Sequence, residues 1–485
     1  MHEYAIMHPF PLYPLTPPII AMQGVIGVHS RKDASTKSLY ILYGVQHRGQ
    51  ESSGVTAASS HSLRTWKGRG LASNVFEERY KSFIHPNDYV VVGCASGENA
   101  DNGYPPLECK SDGRYAFSLA LDGHIPREGG LSEGVIRDTL LGLLGQGKEF
   151  PEAVAEAMRR HRDGYYSLVA AVWDRERQSS ALVVARDERG VRPLYVAVNG
   201  GGVYVASESA PMDVMENMGE TFTERRDVVP GSMIVVDDGG VHETQVLEPR
   251  RAHCVFEWVY FGRPDSVIEG QTVHMVRKRL GRALVESHGL RKLYGTVDGK
   301  PGDLVVIPVP DSGRSVCTGV AEALGVTADE GVIKNAYMGR TYIIDDAWYR
   351  KIASDLKHNI IRETVEGKRV VITDDSIVRG TVSESIAQNL LKAGAREVDF
   401  LVSYAPILYP CFSDPQDKPL AAKPYKGKNL REVGDLVARG LPSIHKVMYN
   451  SEESVLDAVG LPREQICIQC VSGRSPFKPR VPRTT

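Results

Sequence analysis

Thirteen residues, Val370–Val382, read VVITDDSIVRGTV and set two adjacent acids, Asp374 and Asp375, against a short turn through Ser376, Arg379 and Gly380. The apolar residues ahead of the acids predict a strand, and Thr381 opens a helix-like stretch. A strand, a tight loop and a helix N-terminus form an anion cradle, because free backbone N–H groups and the positive end of the helix dipole point at one place. The acids add acceptors for hydroxyls or for a hydrated cation such as Mg²⁺. Phosphate beside a diol describes a ribose 5-phosphate. No Gly-Lys-Ser/Thr follows, so this is not a Walker loop. An ordinary strand–helix unit with a hydrophilic turn is the alternative that spacing leaves open. Cys254, Cys411, Cys467 and Cys470 form a second constellation, in which the CxxC pair alone reads as redox or zinc.

The elements that must position these groups fall into two rhythms. From Gln23 to about Val246, short alternating strands such as GVIGVHS, YVVVGCAS, YAFSLALDG and SALVVARD are separated by Gly and Asp turns. Helical stretches such as PEAVAEAMRRHRDG interrupt them, which predicts an α+β sheet sandwich. From about Arg263, helices alternate with the strands DLVVIPVPD, RVVITDD and EVDFLVSYA, which predicts a parallel α/β sheet. Ligands on such sheets bind beyond the carboxyl ends of the strands. The expected division is residues 23–250 and 251–485.

The chain of 485 residues is long enough for two or three domains. Its 58 basic and 60 acidic residues give no support for nucleic-acid binding. No run of eighteen apolar residues predicts a membrane span. Residues 1–22 contain prolines and no basic lead, so a flexible extension is expected rather than a signal peptide, with Met22 an alternative start. Seven cysteines suit a reducing cytoplasm better than a disulfide framework.

The run Val370–Val382 resembles the phosphoribosyl-pyrophosphate (PRPP) motif of type I phosphoribosyltransferases. Its wording is that of glutamine PRPP amidotransferases. GVQHRGQESSGV (Gly44–Val55), DGYYSLV, ARDERGVRPLYV, SES (Ser207–Ser209), FEWVYFGRPDSVIEG, VVIPVPDSGRSV and KNAYMGRTYI match that family in order. The resemblance implies an N-terminal-nucleophile (Ntn) glutaminase fold followed by a type I phosphoribosyltransferase fold, and by family likeness a homo-oligomer. It places the 5-phosphate on Ser376–Thr381, Val378 included, and the ribose hydroxyls on Asp374 and Asp375. Pyrophosphate falls on Asp311–Ser312–Gly313–Arg314, where Asp311 suits hydrated Mg²⁺ and Gly313 admits close backbone approach. Lys334–Ile343 matches a mobile flap that closes over PRPP, with Arg340 its best anion ligand. Arg350, Lys357 and Asn359 match the family's Arg and Lys-x-Asn. Arg340, Lys357 and Asn359 are the catalytic candidates. The implied reaction displaces pyrophosphate from Mg²⁺·PRPP with ammonia, giving 5-phosphoribosylamine for purine synthesis.

The family draws its ammonia from glutamine, using an N-terminal Cys whose own amine is the base. Here the matching position is Gln23, which cannot form a thioester. The family's glutamine-gripping His-x-Arg-Tyr-Ser-Thr is replaced by Cys94-Ala95-Ser96-Gly97-Glu98, and its oxyanion Asn-Gly by Asp122-Gly123. A carboxylate at the oxyanion position opposes the reaction. The acid that binds the glutamine amine falls at Ser132. Cys94 lacks a terminal amine and is expected to be a buried structural thiol. Glutaminase activity is therefore expected to be lost. Nitrogen would come from free ammonia, an ammonia-supplying partner or another small amine. A regulatory PRPP- or nucleotide-binding homologue and a specialised-metabolite enzyme are the alternatives. Some members carry a [4Fe–4S] cluster where Cys254, Cys411, Cys467 and Cys470 stand; zinc is the runner-up, and the centre would staple the C-terminal tail away from the chemistry.

Overall fold

Alternation along the strands builds the first half of the molecule. In Val90–Ser96, Val90, Val92 and Cys94 enter one buried layer while Val91 and Ala95 enter another. In Tyr165–Asp174, Val169 and Ala171 share the first of these layers, and Tyr166, Leu168, Ala170 and Val172 face a third. A strand buried on both faces reads as a near-continuous apolar run, as these do. The strands form a seven-stranded sheet with Gln23–Ser30 at its centre and a six-stranded sheet containing Tyr115–His124, Tyr165–Asp174 and Ser179–Arg186. Ala34–Gly44 and Ala210–Asn217 cover the outer face of the first, and Ser132–Leu144 and Phe150–Arg160 that of the second. Phe150, Ala153, Val154, Ala157 and Met158 supply one helical stripe, each large apolar side chain contributing about 1.5–3 kcal/mol. The result is the helix–sheet–sheet–helix sandwich that the strand rhythm implies.

The computed structural model describes residues 22–77, 80–97, 106–110, 113–126, 132–294, 303–335, 358–412 and 420–477. In its second half four parallel strands run in the order Leu304–Pro308, Arg369–Asp374, Glu397–Val402 and Lys446–Tyr449. Val370 and Ile372 pack toward the helices Thr381–Lys392 and Leu430–Arg439, and Val371 toward Val273–Ser287 and Gly313–Leu324. Asn429 and Glu432 close a capping box on Leu430–Arg439. An antiparallel ribbon pairs Val332–Lys334 with His358–Ile360.

Several pieces stitch the halves together. The Ala252 N–H donates to the Arg189 carbonyl at 2.8 Å and the Cys254 N–H to the Val191 carbonyl at 3.2 Å, and within the second half His253–Cys254 pairs in parallel with Ile466–Cys467. A π-helical turn, Glu257–Phe261, and a tight hairpin joining Val267–Ile268 to Gln271–Thr272 follow. Phe477, near the C-terminus, lies against Phe412 and Tyr165, with the Arg189 guanidinium 4.5 Å from its ring centroid. Among the described residues no helix is long and apolar enough to cross a membrane.

Candidate functional site

Pro308 and Thr373 are register partners on adjacent parallel strands, so the loops that follow them leave the sheet at the same end. A Cβ on Gly313 would lie 2.3 Å from the Thr373 carbonyl oxygen, so only glycine allows the loops this close. The Ser376 hydroxyl donates to Asp375 at 2.5 Å, and the Ser312 hydroxyl donates to the same carboxylate from the other loop. The two sequence motifs therefore converge on one carboxyl. Asp374 and Asp375 are both buried, and the Asp375 N–H donates to Asp374 Oδ1 at 2.8 Å. Burial, then the Asp375 charge, pushes the Asp374 carboxyl well above the usual carboxylate range. Burial also raises Asp375, opposed by the two hydroxyls and by the buried Arg277 guanidinium. A diol or a cation would relieve this crowding of acceptors.

Gly380 takes a left-handed φ of 83° immediately before the helix Thr381–Lys392, leaving the first-turn N–H groups beside Ser376 and Arg379. Ile377 is buried in the core, and Val378 packs its side chain on apolar neighbours while its carbonyl accepts from Ala421. Val378 thus offers only its N–H to a ligand. Asp311 is exposed and is met by Lys334 at 3.0 Å and by Arg314 at 3.6 Å. Asn359 is exposed on the ribbon strand facing Ile333, next to the Lys334 register pair. Arg340, Arg350 and Lys357 lie outside the described residues.

The positions matched to the family's glutaminase centre also come together. Gln23 pairs in register with Ser96. Its N–H donates to Asp122 Oδ1 at 3.2 Å, and the Cys94 thiol donates to its amide oxygen at 3.0 Å. Ser132 Oγ accepts the Ile125 N–H at 3.0 Å. Around Asp122 lies a buried charge cluster whose members the sequence motifs contain but whose roles they do not reveal. Arg48 contacts Asp122 at 3.0 Å, Glu208 at 2.8 Å and Glu257 at 2.9 Å. Arg192 contacts Glu257 at 2.9 Å and stands 3.6 Å from Asp122. Glu208 also takes His47 at 2.7 Å, Ser266 Oγ at 2.6 Å and the Arg263 N–H at 2.8 Å. Burial disfavours a charge on Glu208, yet His47 and Arg48 hold its pKa below the ordinary value. Four separate matched motifs, ending in Arg48, Arg192, Glu208 and Glu257, meet here across the seam between the halves.

The cysteines converge as well. Cys254 and Cys467 are register partners, Cys470 follows three residues later, and Cys411 and Cys467 act electrostatically on both Cys254 and Cys470. Burial raises the Cys467 thiol to about 12. Among the described residues, the one trio of His, Cys, Asp or Glu ligand atoms within 4.8 Å of one another is Glu397, Asp399 and His445. Arg369 already fills that trio, 2.7 Å from Glu397 and 2.9 Å from Asp399. No three of the four cysteine sulfurs lie within 4.8 Å of one another. The charges of Arg192 and Glu257 act on the Cys254 thiol, and the Cys470 sulfur bonds the hydroxyl of Tyr404, whose main-chain N–H donates to the Asp375 carbonyl.

Residues 142–213 match the model of a glutamine amidotransferase domain. Over 93% of its length the chain is 31% identical to the amidophosphoribosyltransferase of Methanothermobacter thermautotrophicus, covering 94% of that protein. It is likewise 31% identical to the amidophosphoribosyltransferase of Bacillus subtilis, with 93% of this chain and 94% of the relative covered. The solved structure of B. subtilis glutamine PRPP amidotransferase with ADP and GMP superposes with a TM-score of 0.78 at 29% identity, covering 94% of this chain and 97% of that one. A structure described as the allosteric regulatory enzyme of purine biosynthesis superposes equally well, at 29% identity and coverage of 94% and 96%.

Proposed function

Because the chain belongs to the amidophosphoribosyltransferase family, a family of pentosyltransferases, we propose that it transfers the phosphoribosyl group of PRPP to ammonia supplied from outside the chain. Its first domain, in this reading, no longer hydrolyses glutamine. The observation that carries the second half is Asp122. A carboxylate paired with Arg48 and Arg192, accepting the Gln23 N–H, stands where the chemistry needs a neutral donor to a developing oxyanion. Gln23 adds no nucleophile, and the neighbouring Cys94 thiol is spent on the Gln23 amide.

In the second domain Asp374 and Asp375 accept the ribose hydroxyls, and the N–H groups from Ser376 to Thr381 take the 5-phosphate. Gly313 brings the pyrophosphate loop against Thr373, so substrate atoms on the two loops are held in one orientation. Mg²⁺ held by Asp311 and the acid pair would neutralise charge on the departing pyrophosphate. Lys334, already beside Asp311, adds a further positive charge there. The amine needs only to be positioned and unprotonated. The relatives' place in purine synthesis makes 5-phosphoribosylamine the product assigned here. Cys254, Cys411, Cys467 and Cys470 fit an iron–sulfur cluster by donor type.

The test is pyrophosphate release from Mg²⁺·PRPP with ammonium or with glutamine as the nitrogen source. Turnover with ammonium and no glutamate formed from glutamine is expected. Glutamate release above the spontaneous rate, blocked by a thiol-reactive glutamine analogue, would contradict the loss of glutaminase. Tight PRPP binding without turnover on ammonium would instead favour a regulatory homologue.

A further inference from the structure

Tyr404 is fully buried, and its hydroxyl makes a 3.0 Å hydrogen bond with the Cys470 sulfur. The neutral thiol is a weak acceptor, whereas a thiolate is a strong one, and a buried phenol requires a partner. Phe256 holds the ring edge-on, with centroids 4.9 Å apart. The Tyr404 main-chain N–H donates to the Asp375 carbonyl at 2.9 Å, and the Ser403 N–H donates to the Asp374 carbonyl, also at 2.9 Å. Ser403 Oγ reaches the Asp375 carbonyl at 3.3 Å, and Asn450 clamps the Ser403 carbonyl at 2.8 Å. Strand Glu397–Val402 therefore continues into a two-residue brace that is bonded to the acid pair on one side and to a cysteine on the other.

We propose that Tyr404 is a positioning residue that couples the four-cysteine centre to the PRPP site, its hydroxyl donating to the Cys470 thiolate and its N–H holding Asp375. This rests on the PRPP and metal-centre assignments made above. With the cysteines metal-bound, Tyr404 keeps a charge-assisted hydrogen bond and a fixed ring. With metal removed, the phenol loses its anionic acceptor and the Asp375 main chain loses a fixed neighbour. Coupling is reciprocal in affinity, so PRPP must in turn tighten metal binding, and slower metal loss is the expected readout.

The experiment uses the metal-loaded full chain and follows chelator-driven iron release by absorbance, with and without Mg²⁺·PRPP. In the wild type PRPP should slow release roughly fivefold or more, the lower end of ordinary coupling between sites. Tyr404→Phe removes one oxygen; it should retain its iron and bind PRPP, but the protection should fall below about twofold. Equal protection in Tyr404→Phe and wild type would overturn the proposal, as would a wild type that PRPP does not protect or a chain that holds no metal after reconstitution. Should Tyr404→Phe not fold, the wild type decides alone: PRPP affinity must fall when the metal is removed, and an unchanged affinity would overturn the proposal. Asp375→Asn separates the readings. If it binds PRPP as the wild type does, the site assignment fails; if it loses PRPP while Tyr404→Phe keeps full protection, only the coupling fails.

Discussion

At the scale of single residues, two carboxylates carry opposite roles because their neighbours differ. Asp375 sits among hydroxyls and a second carboxyl, with the Arg277 guanidinium acting on it without an ion-pair contact. Asp122 is ion-paired to Arg48 and stands near Arg192. The first has no ion-pair partner among the described residues and suits a ligand; the second is ion-paired within the protein. Asp375→Asn should accordingly weaken Mg²⁺·PRPP binding about 10–150-fold, since a charge-assisted hydrogen bond contributes about 1.5–3 kcal/mol. Calorimetry measures it, and unchanged affinity would remove the acid pair from the site. Arg48 poses the reverse case. Arg48→Met leaves Asp122, Glu208 and Glu257 buried with Arg192 and His47 as the remaining partners. Breaking a buried ion network in this way costs about 3–5 kcal/mol. Urea unfolding should register that loss, and a variant within 1 kcal/mol of wild type would mean that the cluster hydrates instead.

At the scale of elements, the phosphate loop depends on one backbone conformation. A side chain on Gly380 would hold φ near 83° at a cost of about 1–2 kcal/mol and meet Leu441 Cδ2 at 2.8 Å. Gly380→Ala should lose that much stability and also PRPP affinity. Gly325→Ala is the control: φ is 74° at the far end of the helix Gly313–Leu324 and its Cβ meets open space, so stability should fall alone. Equal PRPP affinities for both variants would dissociate the turn from phosphate binding. These strand–turn–helix units are legible in the sequence because period and turn chemistry are local: VVITDD, the helix from Thr381 and the amphipathic stripe of Phe150–Arg160 all appear where their patterns place them. Legibility fails where partners are distant. The two-residue pairing of His253–Cys254 with Ile466–Cys467 is too short to leave a pattern. Arg48, Arg192, Glu208 and Glu257 occur in recognisable motifs, but no periodicity says that four charges from four segments share one buried volume. Tyr404 is invisible for the same reason, since its meaning lies in bonds to Asp375 and Cys470.

At the scale of the whole molecule, the seam between the halves is charged, and that makes its stability depend on pH. Beside the Arg48 cluster, Arg186 Nη1 donates to Glu269 at 2.7 Å and to the Val228 carbonyl at 2.7 Å. Glu269, at a left-handed φ of 48° in the tight hairpin, stands 3.6 Å from His253. Asp227, on the strand Glu224–Asp227, accepts the Glu269 N–H and faces its carboxylate. Burial, then the Glu269 charge, pushes the Asp227 carboxyl up from 3.8 to about 7, with Arg186 opposing. Between those values the folded chain keeps a proton that the unfolded chain has released, so this group's contribution to stability falls as pH rises from about 4 to about 7. His253 acts in the opposite sense: burial lowers it to about 4, so the stability it contributes is lost as pH falls from about 6.5 to 4. Above pH 6.5 the Asp227 effect therefore stands by itself among these groups. Asp227→Asn keeps an acceptor for the Glu269 N–H and removes the titrating charge. The variant should be more stable than the wild type at pH 8, by an amount on the order of 1–3 kcal/mol, and the difference should shrink toward pH 5. Urea unfolding at the two values reads it directly. A constant difference between variant and wild type across that range would place the titrating carboxyl elsewhere and leave the Arg186–Glu269 pair as a fixed clamp between the halves.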